Sequence, residues 1–117
     1  MQNMVIWHNP NCSKSRATLA LLKERGHDPC VVRYLEDPPD PSEIKRVLDL
    51  LGYEPRALIR RKERLYDQLG LAAISENELL IRALAENPRL IERPVVIYGN
   101  RAEIGRPPEK VLALLDG

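Results

Sequence analysis

A short apolar run, Met4-Val5-Ile6-Trp7, gives way abruptly to the polar, turn-forming stretch His8-Asn9-Pro10-Asn11-Cys12-Ser13-Lys14-Ser15-Arg16. The apolar run has the length and residue types of a buried strand. Beyond the polar stretch, Ala17 to Arg25 reads as a helix, with Leu19 and Leu22 three apart and Gly26 closing it. A strand that turns straight into a helix is the opening of an α/β arrangement. It also puts Cys12 on the turn between the two. There the unpaired backbone N–H groups and the helix dipole favour an anion, so the thiol ionises more readily than a free one. Lys14 and Arg16 add positive charge nearby. The thiolate is the nucleophilic form of cysteine, and the N–H groups that favour it also suit an oxyanion beside it.

Free cysteine more often behaves as a small buried hydrophobe. The polar neighbours Asn11, Ser13 and Lys14 argue against that role for Cys12. Cys30 is the contrast: it sits in the apolar run Cys30-Val31-Val32-Arg33-Tyr34 and reads as an inert packing residue. The two cysteines do not resemble a disulfide framework, so a reducing cytoplasm is the expected compartment. Together with His8 and His27 they are not spaced as a zinc site, and no metal is expected. A net charge of +1 on 117 residues supplies no whole-surface field for nucleic acid or an anionic membrane. No apolar run approaches a membrane span, and no signal peptide is expected at the N-terminus.

The whole chain, residues 1–117, is expected to form a single domain. Strand 4–8 leads to helix 14–25 and, after the turn at Gly26-His27-Asp28-Pro29, to strand 30–34. The segment Asp37-Pro38-Pro39-Asp40-Pro41 excludes helix and serves as a rigid connector. A helical insertion of about 42–87 follows. Ser42 is placed to cap a helix with Ile44, Val47, Leu48 and Leu51 on one face, ended by Gly52. Glu54-Pro55 opens a short helix through Arg60 and Lys62, and residues 65–70 form a further turn. Ser75 caps the next helix, with Leu79, Leu80, Ala83 and Leu84 facing inward, which stops before Pro88. Val95-Val96-Ile97-Tyr98 and Arg101 to Ile104 form a hairpin about Gly99-Asn100. Pro107 and Pro108 open a final helix with Val111, Leu112 and Leu115 as its apolar stripe. The order β-α-β, helical insertion, β-hairpin, α is that of a thioredoxin-like α/β fold with a mixed four-stranded sheet. Cys12 then lies at the carboxyl end of the first strand, where open α/β sheets place their ligands.

Three arginines stand in contexts unusual for solvated surface charges. Arg60 ends the run Ala57-Leu58-Ile59-Arg60, Arg93 precedes Pro94 and its strand, and Arg106 precedes Pro107-Pro108. The planar guanidinium fork suits bidentate binding of tetrahedral oxyanions. Taken singly, each is more often a surface residue, and only the fold can bring them to Cys12.

The chain closely resembles the glutaredoxin-coupled arsenate reductase family, which is related to the Spx-type regulators. The carriers are His8-Asn9-Pro10, Cys12-Ser13-Lys14-Ser15-Arg16, Arg33-Tyr34-Leu35-Glu36 and Ala57-Leu58-Ile59-Arg60. Ile91-Glu92-Arg93-Pro94-Val95-Val96 and Ile104-Gly105-Arg106-Pro107-Pro108-Glu109 complete a pattern that covers essentially the whole chain. The Cys-Ser-Lys-Ser-Arg loop is most similar to that of a chromosomal subgroup. The resemblance implies that Cys12 is the nucleophile, that His8 raises its thiolate fraction, and that Arg60, Arg93 and Arg106 bind the oxyanion. Arg61 is the alternative to Arg60 if the helix register differs by one. Ser13, Lys14 and Ser15 would complete the binding loop, and Pro94 matches the family's cis-proline facing the active-site cysteine.

The implied activity is reduction of arsenate, or a related oxyanion, through a thiol adduct on Cys12. The implied reductants are external glutathione and glutaredoxin; no tightly bound cofactor, no membrane, no nucleic acid and a monomeric state are expected. Two further readings compete: an Spx-like regulator that binds RNA polymerase, and a related thiol oxidoreductase acting on a different substrate. Ser15, where a redox pair would have its second cysteine, counts against the regulator. A low-molecular-weight phosphatase would need arginine at position 18, where this chain has Thr18.

Overall fold

The computed structural model describes residues 3–115. They pack as two compact units: one made of residues up to Asp37 together with those from Arg93 onward, the other of Pro38–Glu92. The expected 42–87 insertion falls inside the second.

The first unit is built on β1 (Met4–Trp7), α1 (Ser13–Glu24), β2 (Cys30–Val32), β3 (Val95–Tyr98) and β4 (Arg101–Ile104), and closes with a 3-10 helix, Pro108–Leu114. The strands form one mixed sheet in the order β2-β1-β3-β4. β1 runs parallel to β2, with Val5 opposite Cys30, and antiparallel to β3, with Val5 opposite Ile97. β3 and β4 are the antiparallel hairpin, with Val95 opposite Ile104. This is the thioredoxin-like topology. Residues directly opposite on neighbouring strands share a face, so the pairs Met4–Tyr98 and Ile6–Val96 put four side chains on one side of the sheet. Met4, Ile6 and Val96 pack there with Leu22 of α1 and with Val111 and Leu114 of the closing helix, and Leu19, Leu21, Tyr98 and Leu115 border them.

Three expectations for this unit need correction. β2 stops at Val32, because Arg33 begins a turn in which its carbonyl accepts the N–H groups of Glu36 and Asp37. Cys30 is exposed and is not a packing residue, since β2 is an edge strand. The closing segment buries Pro108, Val111 and Leu114, three residues apart: Val111 of the expected stripe is buried, but Leu112 and Leu115 are only half-buried. A 3-10 helix has three residues per turn, so its buried row runs i, i+3, i+6.

In the second unit, α2 (Pro41–Leu51) buries Ile44, Val47 and Leu48 and ends at Gly52, whose φ of 71° is left-handed. Its cap is Asp40, not Ser42: the Asp40 carboxylate accepts the Glu43 N–H at 2.8 Å, and Pro41 occupies the first helical position. After α2 the helix expected to run through Arg60 and Lys62 is only a 3-10 turn, Pro55–Leu58. Ile59 then bridges antiparallel to Ile91, and the Arg60 N–H donates to the Leu90 carbonyl at 2.7 Å. α3 (Arg64–Gln68) and α4 (Asn77–Glu86) follow. Glu76, not Ser75, precedes α4, and it makes no side-chain cap. α4 buries Leu80, Ile81 and Leu84 and leaves Leu79 exposed, one position round the helix from the expected face.

Candidate active site

Cys12 is the residue before α1, with extended backbone angles (φ −103°, ψ 122°). Its N–H donates to the Asn9 carbonyl at 3.0 Å, and its own carbonyl accepts the Arg16 N–H at 3.0 Å. Asn9 fixes the approach to this position from both ends. Its N–H donates to Ser15 Oγ at 3.0 Å, and its Oδ1 accepts the Asn11 N–H at 2.9 Å. Arg16 Nη1 donates to the Pro10 carbonyl at 2.8 Å. The loop is therefore closed on itself by its own polar groups, which is why a polar sequence is needed between an apolar strand and an amphipathic helix. It leaves the Cys12 side chain 8% exposed.

Two arginine charges act on the sulfur, and one of them touches it. Arg106 Nη2 lies 3.8 Å from Cys12 Sγ, and Arg106 Nε donates to the Arg93 carbonyl at 2.7 Å. Arg93 stands before Pro94 across a cis bond, as expected; the Arg106–Pro107 bond is also cis, which was not expected. Burial pushes the Cys12 thiol up, but four influences together outweigh it: the Ser15 N–H, the Arg93 charge, the Lys14 N–H and the Arg106 charge. The thiol is held below the usual cysteine range. The sulfur makes no tight capping hydrogen bond; the N–H groups act on it as partial positive charges at the helix start.

His8, 7% exposed, gives its ring to Ser15: Nδ1 lies 2.6 Å from Ser15 Oγ. Burial, followed by the charges of Arg33, Arg16 and Lys23, lowers its pKa. The imidazole is then neutral near neutral pH. Ser15 Oγ accepts the Asn9 N–H and shares a proton with His8 Nδ1, so the ring and the Cys12 loop are tied through one hydroxyl. The cations acting on the sulfur are Arg93 and Arg106.

The structure brings together Cys12, Arg93, Arg106 and the backbone of Lys14 and Ser15, while the side chains of Ser13 and Lys14 are exposed. Arg60 belongs to the second unit. There its guanidinium reaches the Arg89 carbonyl (3.2 Å) and the Glu63 carboxylate (3.5 Å), and Arg61 is exposed. The tether from Arg106 to the Arg93 carbonyl carries no sequence signal beyond an X-Pro pair at each end. Among the described residues, no group of three or more His, Cys, Asp or Glu could hold a metal ion, and no helix is long and apolar enough to cross a membrane.

A profile of the ArsC family matches residues 7–114. The Escherichia coli K12 protein YfgD is 52% identical over 112 residues, which cover 94% of each chain. An arsenate reductase of Neisseria meningitidis serogroup B is 47% identical over 117 residues, 98% of this chain and 100% of the relative. Among solved structures, an arsenate reductase from Vibrio cholerae superposes with a TM-score of 0.92 at 49% identity, over 96% of this chain and 97% of that one.

Proposed function

The chain belongs to the ArsC family, and on that premise we propose that it reduces arsenate to arsenite with Cys12 as the nucleophile. The observation that carries this reading is the 3.8 Å approach of the Arg106 guanidinium to the Cys12 sulfur at the start of α1. One such fork can hold the oxygens of a tetrahedral anion while the sulfur faces the central atom. The full-length similarity to proteins named arsenate reductase supports arsenic as that atom.

The thiolate attacks As(V), an As–S bond forms, and the displaced hydroxide leaves as water after taking a proton. Arg93 and Arg106 offset the negative charge gathered on the arsenate oxygens. Glutathione then attacks the adduct at the Cys12 sulfur. The As–S electron pair stays on arsenic, which leaves as arsenite, and the two sulfurs form a mixed disulfide. A glutaredoxin thiol exchanges with that disulfide and restores Cys12. Both electrons come from the external thiols, which suits a site with Ser15 where a second local cysteine would stand. Both cysteines are free, and the reading places the protein in a reducing compartment such as the cytoplasm. His8 contributes by holding Ser15, and with it the loop around Cys12.

The test is arsenite production from arsenate, glutathione and glutaredoxin, with the mass of Cys12 followed in parallel. Glutathionylation of Cys12 that requires arsenate, absent from Cys12→Ser, is the expected result. Turnover unaffected by Cys12→Ser, or no arsenate-dependent change in mass, would overturn it.

A further inference from the structure

Thr18 takes no part in the chemistry above, yet it is fully buried, and its Oγ1 donates to the Lys14 carbonyl at 2.8 Å. That carbonyl and the Ser15 N–H are the two ends of one peptide group. In α1, Cys12 is the cap, Ser13 the first helical residue, Lys14 the second and Ser15 the third. The cap side chain is the natural partner of the second and third N–H groups. A hydrogen bond accepted by a carbonyl polarises its peptide and strengthens the donor at the other end. The Thr18 hydroxyl therefore acts on the Ser15 N–H, one of the helix-start donors that lower the Cys12 thiol.

The hydroxyl is also held from behind. Gly105 has no left-handed φ that would demand glycine, so the residue is there for space. A Cβ at position 105 would lie 2.5 Å from Thr18 Oγ1, 2.9 Å from Pro94 Cγ and 3.1 Å from Thr18 Cγ2. The Gly105 N–H donates to the Pro94 carbonyl at 2.9 Å, which seats this glycine against the segment that carries Arg93. Thr18 is thus clamped between its own helix and the turn that presents Arg106.

We infer that Thr18 is a positioning residue for the nucleophile: its hydroxyl orients and polarises the Lys14–Ser15 peptide toward the Cys12 sulfur, and the missing side chain of Gly105 keeps that hydroxyl in place. The inference rests on Cys12 acting as a thiolate nucleophile and does not depend on which oxyanion it attacks. A threonine bonded four residues back along a helix is common as a purely local feature, so the test must read the sulfur itself.

The experiment measures iodoacetamide alkylation of Cys12 against pH in the full chain carrying Cys30→Ser, with Thr18→Val and Thr18→Ser compared in that background. Thr18→Val keeps the shape and loses the hydroxyl; its alkylation rate at about pH 6 falls about three- to tenfold, the ordinary net worth of one hydrogen bond, while the high-pH plateau is unchanged. Thr18→Ser keeps the hydroxyl and stays within about twofold of the parent. A Thr18→Val profile that superposes on the parent overturns the inference, as does an equal fall in both variants. Should Thr18→Val not fold, Gly105→Ala carries the test: the profile moves to higher pH, and an unmoved profile overturns the inference. Because no arsenate is present, failure here leaves the arsenate reading intact, and failure of that reading leaves the thiol titration intact.

Discussion

Arg106 spends one planar group on two partners: Nε holds the Arg93 carbonyl at 2.7 Å while Nη2 stands 3.8 Å from the Cys12 sulfur. The first contact fixes the plane of the guanidinium, and the second puts its charge where the thiolate forms. A lysine ammonium on a flexible stem cannot do both.

Arg106→Lys is therefore expected to weaken arsenate binding by at least about tenfold, since a charge-assisted contact contributes on the order of 1.5–3 kcal/mol. It should also raise the pH at which Cys12 ionises. Equilibrium titration with arsenate and the alkylation profile of Cys12 check the two halves. If neither changes, the oxyanion is held elsewhere.

Cys12 ties folding to pH with a defined sign. Its thiol is held below the usual cysteine range in the folded protein, so the unfolded chain binds more protons over the interval between the two values. Stability contributed by the thiolate is present above the ordinary thiol pKa and is lost as pH falls through the folded one. Urea unfolding midpoints for the native chain should rise across this interval relative to those of Cys12→Ser. Parallel curves for the two proteins would contradict the electrostatics described for the site.

His8 acts on acid stability. Burial and the charges of Arg33, Arg16 and Lys23 lower its folded pKa, so again the unfolded chain holds more protons. Its contribution is present above about pH 6.5, the ordinary imidazole value, and is lost as pH falls below it. His8→Gln cannot titrate and should lose less stability than the native chain on acidification. Denaturant unfolding at several acidic pH values compares the two, and identical losses would dismiss the buried neutral ring.

The cap of α2 offers a control in the other unit. Asp40→Ala removes the acceptor of the Glu43 N–H and should destabilise the protein by about 0.5–2 kcal/mol. Ser42→Ala should change stability by no more than about 0.5 kcal/mol. The reverse order would mean that the helix begins at Ser42 after all.

That cap also shows how sequence reading goes astray. Pro41 and Ser42 are both legitimate helix starters, and only the fixed φ of proline at the first helical position pushes the cap back to Asp40. The strands, the hairpin and Cys12 at the start of α1 were legible because strand, turn and helix patterns change sharply there. Cys30 was not, because an apolar run does not say whether it lies at the middle or the edge of a sheet, and β2 proves to be an edge. Leu79 and the buried row of the closing helix were misplaced by one position, an error that a change from 3.6 to 3 residues per turn is enough to produce at Leu112 and Leu115. At the site, the motifs pointed to Cys12, Arg93 and Arg106, and equally to Arg60, which lies in the second unit with Glu63 and the Arg89 carbonyl as its partners. The Arg106 tether and the Thr18 hydroxyl had no signature, because each depends on segments that only the fold makes neighbours.

The pairing of β1 with β3 joins Val5 to Ile97, and that distance along the chain governs when the site comes into existence during synthesis. On the ribosome, the segment containing Cys12 emerges early and β3 very late. Closing so long a loop must precede any reward from the contacts it makes. Until Arg93 and Arg106 have been translated and seated, the nascent chain lacks the two arginine charges that lower the thiol. The local N–H groups of Lys14 and Ser15 then act on the sulfur without those charges. The full lowering of the Cys12 thiol is therefore a property of the finished sheet and not of the loop that carries it.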